Sequence, residues 1–158
     1  MGNIFVGSEV VELGIQIENN GRDFYNTLVK QSKNQKAQEV FKFLAGEEEK
    51  HIKVFQGILA QTQKFEPQGL DADKYLDYLK SLAGEYIFTQ KGKGEEIAQN
   101  TKSDKQAIDT AIRFEEDSIV FYAGMKKIVP SYNEKIIEAL VMQEEGHLKQ
   151  LLDMKKLI

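Results

Sequence analysis

The stretch LAGEEEKH at residues 44–51, which returns as LVMQEEGH at residues 140–147, decides the fold of this chain. Both copies contain the motif Glu-x-x-His and hold the only two histidines of the chain: Glu48 with His51, and Glu144 with His147. In a helix, residues three apart share a face, so each pair directs a carboxylate and an imidazole toward one point. This ligand combination suits iron, manganese or zinc. The two stretches therefore predict helices that contribute to a metal site.

Four long segments have apolar residues at helical spacing. They predict helices at residues 8–31, 33–63, 104–129 and 132–156. Serines in capping-box-like pairs support the last three starts: Ser32, Ser103 and Ser131. Because short links make neighbouring helices antiparallel, we predict two helical hairpins, at residues 8–63 and 104–156.

A long connection, residues 64–103, joins the two hairpins. Residues 73–88 within it predict a shorter helix, which fits the rarity of long structureless loops. The sequence KGKG at residues 91–94 predicts a flexible loop. We therefore predict an all-α protein, one domain over residues 1–158, folded as an antiparallel four-helix bundle with one long crossover that contains a short helix.

The two hairpins resemble copies of each other. The segment IENNGRDFY at residues 17–25 matches FEEDSIVFY at residues 114–122, 97 residues later, and the match aligns Glu18 with Glu115. Two copies facing each other predict a site with pseudo-twofold symmetry. Glu18 and Glu115 therefore join the two Glu-x-x-His pairs as candidate metal ligands.

All six candidate ligands occupy positions where the helical period requires apolar side chains. Four carboxylates buried together must protonate or bind cations, because an unpaired buried charge is strongly unfavourable. Two divalent ions would cancel the four charges. One Glu from each of two helices, with Glu-x-x-His from each of the other two, is the di-iron carboxylate arrangement. The sequence leaves open which glutamates bridge the two ions and which bind only one.

The alternative is that the two pairs are ordinary i, i+3 contacts on exposed helix faces. Four neighbouring glutamates are predicted to be surface charge: Glu47, Glu49, Glu116 and Glu145. Gly21 is predicted either to allow close helix packing or to leave room beside the metals for an oxygen-derived ligand. Tyr25 and Tyr122 are candidate residues beside the centre, as core aromatics or as redox tyrosines, with a ligand carboxylate as a natural partner for each hydroxyl.

Composition excludes several classes of function. The net charge of −4 is evenly spread, so no nucleic-acid surface is expected, and no apolar run approaches the length needed to span a membrane. The absence of cysteine excludes disulfides, thiolate metal sites and thiol catalysis. Residues 1–7 lack the pattern of a signal peptide, so the expected location is the cytoplasm.

These residues resemble the ferritin-like superfamily and, within it, the rubrerythrin-type di-iron domain. The resemblance covers all four helices, their order and the crossover, and it assigns the metal ligands to the six residues above. Two-domain rubrerythrins have a further Glu where this chain has Ser118, and a cysteine-rich rubredoxin domain that is missing here. The six-ligand set is therefore closer to that of bacterioferritins.

The resemblance implies a homodimer that binds two iron ions and reduces peroxide or dioxygen. Without its own rubredoxin domain, the chain would need electrons from an external donor such as a rubredoxin. We thus expect a peroxidase-type or ferroxidase-type oxidoreductase. The alternatives are an iron-oxidising or iron-storing protein, as in ferritins, and a bundle that binds zinc or manganese without redox chemistry.

Overall fold

The computed structural model describes residues 6–62, 90–126 and 133–158, together with Lys74, Asp77 and Phe88. Within these residues the chain forms five helices and no strand. They are α1 (Val6–Gln31), α2 (Gln35–Thr62), α3 (Lys93–Gln99), α4 (Asp104–Met125) and α5 (Glu134–Leu157). The predicted all-α bundle is confirmed. The predicted crossover helix at residues 73–88 lies mostly outside the described residues.

Side chains that accept a backbone hydrogen bond cap the starts of α2 and α4. The predicted cap of α4 is confirmed, because the Ser103 hydroxyl accepts a hydrogen bond from the Gln106 amide at 3.1 Å. The predicted cap of α2 at Ser32 is wrong. Asn34 takes that role, accepting from the Ala37 amide at 3.0 Å, while the amide of Ser32 donates back to Leu28 and so continues the last turn of α1. Ser131 lies outside the described residues.

The four long helices pack as two hairpins, α1 with α2 and α4 with α5. Their apolar stripes form one buried core that includes Phe24, Phe41, Phe55 and Phe121. Burial of aromatic side chains of this size is the main stabilising contribution. None of the helices in the described part of the chain is long and apolar enough to cross a membrane.

The end of the crossover docks on α1 through a buried asparagine. The Asn20 amide nitrogen donates to the carbonyl oxygens of Phe88 and Gln90 at 2.5 and 2.6 Å, and its oxygen faces the Gly94 amide at 3.3 Å. Residues 91–94 are therefore not the predicted flexible loop, because Gly92 adopts a left-handed φ of 76° and α3 begins at Lys93. Only glycine takes such a φ without strain.

Gly94→Ala should destabilise the protein by about 1–3 kcal/mol, the usual range for an added methyl group in a packed site. A Cβ at Gly94 would lie 1.9 Å from the Asn20 carbonyl oxygen, a backbone atom that cannot rotate away. Urea unfolding followed by circular dichroism measures the change.

Gly57→Ala is the matched control, because no atom of the described residues, apart from the backbone of its own helix and its two neighbours, lies within 4 Å of a Cβ placed there. Gly57 lies inside α2, so alanine there should leave stability unchanged or raise it by up to about 1 kcal/mol. Equal stability of both variants would contradict the docking of α3 on α1.

Candidate metal centre

The six residues predicted as ligands lie together inside the bundle. Each of the four long helices supplies at least one, and none has more than 4% of its surface exposed: Glu18, Glu48, His51, Glu115, Glu144 and His147. The alternative of exposed i, i+3 pairs is therefore wrong. The helical period places these side chains inward in line with apolar neighbours such as Leu44 and Leu140, which are also buried.

The six side chains form two groups of four that share two members. One group is Glu18, Glu48, His51 and Glu144, and the other is Glu48, Glu115, Glu144 and His147. Within each group the candidate ligand atoms lie within 4.8 Å of one another. Glu48 and Glu144 thus lie between the two groups, whereas Glu18 and Glu115 belong to one group each. If each group held one ion, Glu48 and Glu144 would be the candidates to bridge the two ions, a question that the sequence left open.

Both imidazoles present Nδ1 to the carboxylates. His51 Nδ1 lies 2.7 Å from Glu144 Oε1 and 3.4 Å from Glu18 Oε1. His147 Nδ1 lies 3.8 Å from oxygens of Glu48, Glu115 and Glu144. The two rings stack with their centroids 5.7 Å apart.

Many polar atoms of the cluster have no partner in hydrogen-bonding geometry among the described residues. They include both oxygens of Glu48, one oxygen each of Glu18, Glu115 and Glu144, and Nδ1 of His147. Buried polar atoms are normally paired, so such a concentration of free lone pairs requires an explanation. Cations at the two groups would satisfy these atoms, and the hard oxygen and imidazole donors suit iron, manganese or zinc.

Without metal, the cluster holds protons instead. Burial raises the pKa of Glu48 well above its ordinary value, and the charges of Glu144 and Glu18 raise it further. Burial and the nearby Glu144 have the same effect on the pKa of Glu115, and burial with the charge of Glu18 raises that of Glu144. Crowded carboxyl groups thus favour their neutral forms.

Two side chains of the cluster, Glu18 and His51, favour their charged forms. Burial acts to raise the pKa of Glu18, but contacts with Glu48 and His51 outweigh it and hold that pKa below its ordinary value. Burial acts to lower the pKa of His51, but the carboxyl groups of Glu144 and Glu18 raise it to about 11. The metal-free centre is therefore a network of shared protons.

Each candidate tyrosine bonds a glutamate that belongs to one group only and is contributed by the opposite hairpin. The Tyr25 hydroxyl donates to Glu115 at 2.7 Å, and the Tyr122 hydroxyl donates to Glu18 at 2.6 Å. Both tyrosines are fully buried. The expected partnership of each hydroxyl with a ligand carboxylate is present, while a redox role for the tyrosines stays a prediction.

Tyr122→Phe should destabilise the metal-free protein more than Tyr25→Phe. Tyr122 bonds Glu18, which favours its charged form, whereas Tyr25 bonds Glu115, which favours its neutral form. Hydrogen bonds to charged groups contribute about 1.5–3 kcal/mol, against about 0.5–1.5 kcal/mol for neutral pairs. Urea unfolding at neutral pH with a chelator present measures both losses. An equal loss in the two variants would contradict the charge assignment.

Gly21 allows close packing and leaves no room for an oxygen-derived ligand. The ring of Phe114 occupies the space, since a Cβ at Gly21 would lie 2.5 Å from Phe114 Cζ. The same Cβ would lie 3.3 Å from Glu48 Oε2, so this apolar ring packs directly beside the centre. Phe88 of the crossover packs on Phe114 in turn, with the ring centroids 4.3 Å apart. The prediction of room at Gly21 is wrong because an aromatic residue far away in sequence fills it.

Sequence reasoning missed two residues that face the outer nitrogens of the histidines. Gln143 Oε1 lies 2.7 Å from His51 Nε2, and Glu47 Oε1 lies 3.8 Å from His147 Nε2. The prediction of Glu47 as plain surface charge is therefore wrong, because its side chain is only 18% exposed. The 96-residue repeat aligns position 47 with position 143, and this alignment could have indicated that the two residues have equivalent places beside the histidines.

Ser118, where two-domain rubrerythrins have a further Glu, is buried, and its hydroxyl donates to the Phe114 carbonyl at 2.9 Å. It bonds its own helix and belongs to neither group of four. Among the described residues, the centre thus consists of the six predicted side chains.

Comparisons with known proteins agree with this geometry. One similar solved structure is that of a protein from Thermotoga maritima described as a ferritin-like diiron-carboxylate protein. It shares 25% sequence identity, with a TM-score of 0.71 over 95% of this chain and 94% of that one. A comparison with curated protein sequences finds no significant match. The family model named Rubrerythrin matches residues 9–155, and the chain therefore belongs to the rubrerythrin family.

Proposed function

We propose that this protein binds two iron ions through the six clustered residues and reduces peroxide or dioxygen with electrons from an external donor. The observation that supports this most directly is the pair of four-residue groups that share Glu48 and Glu144. Two ions held this close can deliver two electrons together, which matches the two-electron reduction of peroxide. Manganese and zinc fit the same donor set, but of the three metals iron best matches the chemistry of the family.

Charge balance supports two divalent ions. Four glutamates in their ionised forms bring four negative charges into a site that excludes water, and two neutral imidazoles add none. Two divalent cations cancel this charge and replace the protons that the metal-free centre holds. Glu48 and Glu144 would bind both ions, Glu18 and His51 one of them, and Glu115 and His147 the other.

The surrounding residues orient the ligands and exclude water. Tyr122 and Tyr25 hold the terminal carboxylates of Glu18 and Glu115 through their hydroxyl hydrogen bonds. Phe114 covers the centre beside Glu48. When bound, iron supplies electrons to the oxidant and receives them again from a donor, and the protein determines ligand geometry, charge and access. The 158 residues contain no cysteine for a rubredoxin-type iron site, which supports a separate donor.

The test is oxidation of a reduced rubredoxin by hydrogen peroxide, or by dioxygen, in the presence of the iron-loaded protein. The zinc-loaded protein is the matched control, because it has the same ligands and charge but no redox chemistry. Donor oxidation that requires iron in the protein would support the proposal. Equal rates with the zinc-loaded protein, or with the same amount of free ferrous iron, would contradict it.

Iron storage is the competing function, and it requires a different number of iron atoms per chain. A storage protein accumulates many iron atoms per chain inside a large shell, whereas the proposed enzyme holds two. Iron analysis after repeated aerobic addition of ferrous iron, with light scattering for the size of the assembly, separates the two.

We propose a homodimer in the cytoplasm, where reducing conditions maintain reduced donors. A cage with more than two irons per chain would overturn this assignment.

A further inference from the structure

We propose that the two metal positions are unequal, because Glu47 strengthens the ligand His147 while the neutral Gln143 serves only to orient His51. This inference rests on the proposed di-metal function and adds a difference between its two sites. It concerns two side chains outside the six ligands, and it predicts which ion is bound more tightly.

Each histidine uses its two nitrogens for different purposes. Nδ1 of His51 and of His147 faces the shared carboxylates, so this nitrogen is the one available to a metal ion. Nε2 faces outward and keeps a proton when Nδ1 binds a metal. The residue that accepts this outer proton determines how much electron density the ring can donate to the ion.

The two outer partners occupy equivalent positions but differ in charge. Gln143 Oε1 lies 2.7 Å from His51 Nε2, a normal hydrogen-bond distance for a neutral amide. Glu47 Oε1 lies 3.8 Å from His147 Nε2, beyond hydrogen-bond distance but within the range of charge attraction between a carboxylate and an N–H group that becomes more acidic on metal binding. The pseudo-twofold symmetry of the ligands therefore does not extend to their supporting residues.

A second difference between the hairpins is a lysine that contacts Glu47. The Lys50 ammonium bonds Glu47 Oε2 at 2.9 Å, which leaves Oε1 facing the imidazole. In the other copy, the position of Lys50 is Gly146 and that of Glu47 is Gln143, so both charges are missing.

A negatively charged carboxylate that faces the outer N–H stabilises the positive charge that the ring gains on metal binding, and a neutral amide lacks this charge. Changes to such supporting residues alter metal affinity by about 10–100-fold in known metal sites. The ion held by His147, Glu115 and the shared glutamates should therefore bind first and more tightly. The ion held by His51 and Glu18 should bind second.

The test is stepwise titration of the metal-free protein with Co²⁺, followed by visible absorption, in the wild type and in E47Q and Q143E. The wild type should show two separated steps. E47Q should weaken the tighter step by about 10-fold or more, and Q143E should strengthen the weaker step by a similar factor. H51A and H147A each remove one imidazole and thus assign each step to its histidine.

E145Q is the charge-matched control for E47Q. Glu145 is exposed next to the ligand Glu144, and it is not one of the two residues that face an outer imidazole nitrogen. E145Q therefore removes the same charge near the centre and leaves Glu47 and Gln143 unchanged. Equal weakening in E47Q and E145Q, or two bound ions with no response to E47Q, would overturn this inference alone. A wild-type protein that binds fewer than two Co²⁺ ions would overturn the proposed di-metal function and this inference with it.

Discussion

Glu144→Ala should lose both metal ions, whereas His51→Ala should lose about one. Glu144 lies between the two groups and contributes to each, while His51 belongs to one group only. Elemental analysis of protein purified without an affinity resin gives the number of metal ions per chain. From the sequence alone, both variants would be expected to lose one ion, so the difference between them tests the geometry directly.

Glu145→Ala provides the control for this experiment, because it removes a neighbouring carboxylate that belongs to neither group. It should keep two ions per chain. A Glu144→Ala protein that still binds one ion tightly would show that Glu144 is a terminal ligand. Full metal content in both Glu144→Ala and His51→Ala would contradict the assignment of these two residues as metal ligands.

The metal-free protein should lose stability as the pH rises from about 5 to about 9. Three buried glutamates have a pKa above the ordinary value of 4.5 in the fold: Glu48, Glu115 and Glu144. A group whose pKa is raised by folding stabilises the fold below its unfolded pKa, and that stabilisation is lost as the pH rises through the folded pKa. His51 acts in the same direction, since its pKa rises from 6.5 to about 11.

Glu18 has the opposite sign, because its pKa is lowered in the fold. Its contribution is present above the ordinary pKa of 4.5 and is lost as the pH falls further. The stability of the metal-free protein should therefore be greatest near about pH 5 and fall on both sides. Urea unfolding in the presence of a chelator, at several pH values from 4 to 9, measures the profile.

Glu48→Gln is the informative variant for this profile. The amide imitates the protonated carboxyl group at every pH, so the fall in stability between about pH 5 and about 9 should become smaller. Metal-bound protein should show the reverse trend, because protons compete with metal ions for the same ligands at low pH. Stability of the metal-free protein that rises with pH in the wild type would contradict the assignment of raised pKa values.

Local sequence patterns were enough to predict the helices and the six clustered residues. Polar side chains such as Glu48 and His51 occur where the 3.6-residue period requires apolar ones, and this conflict identifies them within a single helix. The internal repeat then added Glu18 and Glu115, whose individual signals are weak. The start of α2 was predicted wrongly, since Asn34 and not Ser32 caps this helix. Both side chains can accept the capping hydrogen bond, and the path of the backbone turn decides which of them does.

Only the tertiary structure decided how these residues divide between two groups and which residues lie beside them. A sequence gives the face of each helix but not the distance between helices, which depends on packing of side chains far apart in the chain. Packing between the two hairpins places Glu144 in both groups and puts the ring of Phe114 against Gly21. The same packing brings Glu47 to face His147. The helical period thus determined which residues point inward, and packing between the hairpins determined what each of them contacts.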